Sequence, residues 1–220
     1  MDWTRAVDAY CERMHAGVWA EPVNALTNVA FLVAAGIMWH RLRGQSLPVA
    51  RLLVVILALI GLGSLLFHTF AQAWAGLADV VPILAFVVVY IYAANRGFWR
   101  LKPLWAAAAS GLSLVVCAAL VPLLALVPLL GASAGYLPLP LLIGGYALAL
   151  RQRVPETARG LAIGAGILAL SLLLRSLDGP LCDVVPLGTH FGWHLLNAVM
   201  LGWMIEVYRR HMLAPSRRGR

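Results

Sequence analysis

Seven mostly apolar stretches recur between Pro22 and Tyr208, each long enough to cross the roughly 30 Å hydrocarbon core of a bilayer as a helix. That feature leaves few folds open. Lipid offers no hydrogen bonds to the backbone, so each crossing segment must satisfy its own N–H and C=O groups, and an all-α membrane bundle follows. The expected spans cover 22–40, 48–70, 77–95, 103–127, 134–150, 158–175 and 187–208. The fourth and fifth are the least sharply bounded, because Pro122, Pro128, Gly131, Gly135, Pro138 and Pro140 offer several break points. An even number of spans stays open there. Only 12% of residues are charged, against about 25% in soluble domains, which excludes a water-soluble reading. The 220 residues divide into an N-terminal segment over 1–21, one helical bundle over 22–208 and a basic tail over 209–220.

Charge sets the expected orientation, since Lys and Arg accumulate in cytoplasmic loops. One face collects Arg41, Arg43, Arg51, Arg96, Arg100, Lys102, Arg151, Arg153, Arg159, Arg209, Arg210, Arg217, Arg218 and Arg220. The other keeps only Arg5, Arg13 and Arg175 and holds Asp2, Asp8, Glu12, Glu21, Asp79, Asp178 and Asp183. The N-terminus is therefore expected outside and the C-terminus in the cytoplasm. Charges at Asp2, Arg5, Asp8, Glu12 and Arg13 interrupt any uncharged core of a removable signal peptide, so the first span serves as the targeting signal. The net charge of +8 reflects this asymmetry. The tail suits anionic lipid headgroups, and no nucleic-acid role is expected.

Ionisable residues inside spans are costly, and each needs a partner or a function. His68 and Ser64 lie one helical turn apart at the outer end of the second span, and Asp79 opens the third. His190 and His194 share one face at i, i+4 at the start of the seventh. Glu21, Asn24 and Asn28 enter the first span from the same side. An H-x-x-x-H pair alone also arises in packed bundle cores. The third histidine and Asp79 at the same depth favour zinc, which takes neutral imidazole nitrogens and leaves a position for water at catalytic sites. Ser64 suits an oxyanion or substrate contact, although small hydroxyl residues also let helices approach. Asn28 and Asn197 read as interhelical hydrogen-bonding residues, and Trp193 as packing that also shapes a pocket. His40 and His211 fall at inner helix ends, and the spacing of His15 singles out nothing. Cys117 reads as a small mid-span packing residue. Cys11 and Cys182 both lie outside and can pair there if the compartment is oxidising.

Ser64-x-x-x-His68, Asp79 and His190-x-x-x-His194 along a seven-span chain resemble the alkaline ceramidase family of the CREST membrane hydrolases. Glu21-Pro22-x-Asn24 and Asp178-x-x-x-Cys182 extend the likeness over almost the whole chain. The resemblance implies His68, His190 and His194 as zinc ligands, Asp79 as the general base acting on the attacking water, and Ser64 against the substrate amide. It further implies hydrolysis of ceramide or a related long-chain N-acyl lipid to a fatty acid and a sphingoid base or amine. A calcium ion is implied too, with Asp8, the Tyr10 carbonyl, Glu12 and Glu21 as nearest counterparts. Ala9, Arg13 and Met14 depart from the family's acidic or polar pattern in that segment. Short loops and compact length look bacterial, which places the protein in an inner membrane with its site toward the periplasm. A zinc-containing receptor or sensor is the rival reading, distinguished by a closed metal site. A transporter would instead need ionisable residues at several depths.

Overall fold

The computed structural model describes residues 2–15 and 17–214. Among these residues the regular structure is helical, with one isolated antiparallel bridge between Ala6 and Gln72. The main elements are α1 (Pro22–Thr27), α2 (Val29–Arg41), α3 (Pro48–Phe70), α4 (Ala73–Gly97), α5 (Pro103–Leu124), α6 (Pro138–Leu150), α7 (Pro155–Leu177) and α8 (His190–Leu213). Proline opens α1, α3, α5, α6 and α7. Its fixed φ suits the first helical turn, where its missing N–H would have had no partner. The break between α1 and α2 falls at Asn28, beside Thr27, whose hydroxyl donates to the carbonyls of Val23 and Asn24. Side chains that bond back onto helix carbonyls bend the helix at such points.

Five helices are long and apolar enough to cross a membrane: Pro22–Arg41 taken as one, α3, α4, α5 and α7. The expected fifth span over 134–150 is shorter than anticipated. α6 has 13 residues, about 20 Å of helix, because the chain after α5 runs through turns and a short 3-10 segment at Gly131–Ser133 before helix resumes. That segment is tied to α7 by Arg175, which donates to the Ala132 carbonyl and the Ser133 hydroxyl. α8 is 24 residues long, but His190, His194, Asn197 and Glu206 make it too polar for the same class.

α3 packs along α4, α7 along α6 and α8, and α2 lies against both α3 and α8. Leu53, Leu57, Ile60, Phe86, Leu161, Leu172 and Ile205 fill the middle of the bundle. Leu104, Trp105, Leu112, Val115 and Leu126 face outward, an apolar surface that suits acyl chains and would be a liability in water. At one end of the bundle Glu206 pairs with Arg41, Arg209 and Arg210. Of the basic tail, residues 215–220, including Arg217, Arg218 and Arg220, lie outside the described residues. At the other end, the N-terminal segment runs over the α3–α4 turn, with Val7 N donating to Ala71 O and Ala73 N to Arg5 O.

Candidate metal centre

His68 sits in the last turn of α3, and His190 and His194 in the first two turns of α8. The three rings converge with centroids 4.6 to 5.1 Å apart. Each side chain is about 1% exposed, and one ligand atom from each lies within 4.8 Å of the others. His68 Nε2, His190 Nδ1 and His194 Nε2 are buried with no hydrogen-bond partner. Buried polar atoms are almost always paired, so three unpartnered imidazole nitrogens in one place form a donor set that could hold a metal ion. Three neutral nitrogens suit Zn²⁺.

The far sides of two rings are fixed by partners that decide their tautomers. His68 Nδ1 lies 2.5 Å from Glu21 Oε2. A carboxylate only accepts, so Nδ1 carries the proton and the Nε2 lone pair stays free. His194 Nδ1 lies 2.9 Å from Thr27 Oγ1. The Thr27 hydrogen is already spent on α1 carbonyls, so its oxygen accepts from Nδ1 and again leaves Nε2 free. His190 is held by ring stacking on Tyr10, with centroids 3.7 Å apart. Burial there pushes the Tyr10 phenol up to about 12.

Asp178 aims the start of α8. Its Oδ1 accepts from the backbone N–H of Thr189 and His190 at 2.7 and 2.9 Å, and its Oδ2 accepts from Cys11 N at 3.1 Å. A carboxylate at a helix N-terminus satisfies otherwise unpaired donors and meets the positive end of the dipole. The Cys11–Cys182 disulfide is formed, with Cα atoms 5.3 Å apart, and joins the N-terminal segment to the α7–α8 connection. Gly188 has φ +68°, and a Cβ there would strike Asp178 and Cys11, so only glycine permits this turn.

Ser64 and Asp79 sit side by side along a cavity of about 50 Å³, which Phe31, Tyr136, Trp193 and Asn197 also line. Asp79 is brought there by Gly63, because a Cβ on Gly63 would collide with the Ala78 carbonyl. The α3 and α4 backbones therefore touch beside the site. Arg175 lies over the rings of Tyr136 and Trp193, at 5.4 and 5.7 Å from their centroids.

The expected calcium set is not brought together. Asp8 is exposed. Glu12 instead caps α1, its two oxygens accepting from Val23 N at 2.6 Å and Asn24 N at 2.8 Å. Glu21 Oε1 is held by Arg13 Nε at 2.5 Å, while Oε2 faces His68. Burial pushes the Glu21 carboxyl up, but hydrogen bonds and charge from His68 and Arg13 outweigh it and hold it below the usual carboxylate range. Calcium takes about six to eight oxygen ligands. Among the described residues, the one group of three or more His, Cys, Asp or Glu side chains that could hold a metal is the three histidines, and the carboxylates of Asp8, Glu12 and Glu21 form no such group. Tyr10 meets the site through its ring, not its carbonyl.

Thr27, Arg175 and the capping use of Asp178 and Glu12 go beyond the sequence reading. A lone Thr before Asn28 and an arginine near a helix end carry no spacing signal, and only tertiary contact reveals them. A family model described as Ceramidase matches residues 4–209 of the chain. No curated protein matches it.

Proposed function

Because the chain belongs to the ceramidase family, we propose that it is a zinc-dependent intramembrane amide hydrolase. Its proposed substrate is ceramide or a related long-chain N-acyl lipid, cleaved to a fatty acid and a sphingoid base or amine. The observation that carries this reading is the convergence of three buried, unpartnered imidazole nitrogens, with Asp79, close enough to feel the charge of His68, and Ser64 lining an adjacent cavity. His68, His190 and His194 would hold the metal. Zinc supplies Lewis acidity there, polarising a carbonyl and making water nucleophilic near neutral pH.

The remaining steps fall to side chains. Asp79 takes a proton from the attacking water and returns it to the leaving nitrogen. Ser64, beside it, donates to the amide oxygen as charge develops there. Phe31, Tyr136 and Trp193 form apolar walls that keep bulk water from the reacting atoms. The cavity of about 50 Å³ is small beside the roughly 300–1,000 Å³ of ligand pockets. A long acyl chain therefore enters by parting the helices around it.

A receptor or sensor with structural zinc would need a fourth protein ligand. None of the described carboxylates joins the three histidines, which supports an open, catalytic centre. A seven-crossing arrangement, with the short α6 and the polar α8 completing the bundle, and the distribution of basic residues support a centre on the extracytoplasmic face. In a bacterial inner membrane that face is the periplasmic one.

Metal analysis of the purified protein should find one zinc per chain. Lipid mass spectrometry on mixed N-acyl lipids should show free fatty acid that disappears with a chelator and returns with zinc. Zinc-loaded protein that releases no fatty acid from any N-acyl lipid would favour the sensor.

A further inference from the structure

We propose that the Arg13 guanidinium takes the place of a divalent cation beside Glu21, orienting that carboxylate against His68 so that the metal centre is built without calcium. The proposal rests on the reading of the three histidines as a zinc site.

Arg13, Glu21 and His68 form a continuous buried relay. Arg13 Nε meets Glu21 Oε1 at 2.5 Å, and Glu21 Oε2 meets His68 Nδ1 at 2.5 Å. The side chains of Arg13, Glu21 and His68 are 6%, 2% and 1% exposed. A carboxylate this deeply buried needs a compensating positive charge, and arginine is buried only when it meets such a partner. His68 cannot be that charge once its Nε2 binds a metal, because it must then be neutral. Arg13 is the cation left in contact.

The same contact removes the room and the charge that calcium would need. Arg13 on one Glu21 oxygen and His68 on the other already supply each with a donor, and a second positive ion there would be repelled by the guanidinium. Glu12 is likewise committed to the α1 N-terminus through both oxygens. Arg13 is itself held in place, since Nη1 donates to the His15 carbonyl at 3.4 Å and its neighbour Cys11 is fixed by the disulfide.

Arg13 is thus a positioning residue, two contacts from the proposed ligand His68, and its effect is read in zinc affinity without any turnover. Competition with a chromophoric chelator, on the detergent-purified full chain, should give the wild-type protein the same zinc affinity in calcium-free buffer and in millimolar calcium. Arg13→Ala should weaken zinc binding by about 10–100-fold, the usual effect of losing support behind a ligand. Arg13→Lys, which keeps the charge, should recover a large part of the loss. A wild-type affinity that rises with calcium, an Arg13→Ala protein that binds zinc as the wild type does, or an Arg13→Lys protein no better than Arg13→Ala would overturn the proposal. Should Arg13→Ala fail to fold, the wild-type calcium comparison still decides it. A wild-type protein that binds no zinc would bring down the metal centre and this proposal together, whereas calcium dependence with zinc bound would end only the latter.

Discussion

Asp79, the proposed base, is the residue whose removal should separate chemistry from metal binding. It lies beside Ser64 and outside the histidine group, so Asp79→Asn should keep zinc at wild-type stoichiometry while turnover falls by about 10²–10⁴-fold. Zinc content and lipid hydrolysis on the same preparation check both halves. Thr27 stands one step behind the proposed ligand His194: Thr27→Val removes the oxygen facing His194 Nδ1, and zinc affinity should drop by about 10–100-fold, measured by chelator competition. The three histidines were legible in the sequence because hydropathy placed them at one depth and the i, i+4 spacing put two on one face. Thr27 was not, since nothing local distinguishes a threonine that faces a histidine from one that faces lipid. Arg13 was legible only as a departure from an acidic pattern, and its pairing with Glu21 depends on how the N-terminal segment folds back.

At the scale of elements, the start of α8 depends on one carboxylate. Asp178→Ala would leave the N–H groups of Cys11, Thr189 and His190 without their acceptor, at about 1–3 kcal/mol for each that water cannot reach. The variant should melt at a lower temperature in detergent and retain less zinc, because His190 begins the destabilised turn. The same elements show what apolar runs encode. The expected 48–70 span coincides with α3 (Pro48–Phe70), whose apolar stretch is bounded by proline at one end and a polar turn at the other. The fifth differs because hydropathy continues from Leu123 to Leu150 through residues that turn, and apolar character alone does not distinguish a helix from irregular backbone. The contact of α3 with α4 at Gly63 is likewise a matter of close approach, which composition does not record.

For the whole molecule, the segregation of basic residues predicts which end faces the cytoplasm. Ser46→Cys, in the exposed turn between α2 and α3, should react with a membrane-impermeant thiol reagent only after cells are opened, and Thr4→Cys on the opposite end should react in intact spheroplasts. Reversed labelling would place the histidine centre in the cytoplasm. The bundle class was readable because lipid restricts backbone so severely, whereas the folding of the first twenty residues over the centre was not, since that segment follows no periodicity. Its stapling to the chain 171 residues away also constrains the order of events in biosynthesis. His68 emerges early from the ribosome, but His190, His194 and Cys182 arrive with the last helix. On the proposed zinc reading, a nascent fragment without α8 holds one of the three imidazoles, so metallation would wait for the last helix, and a ribosome stalled before Cys182 would leave the covalent ring open as well.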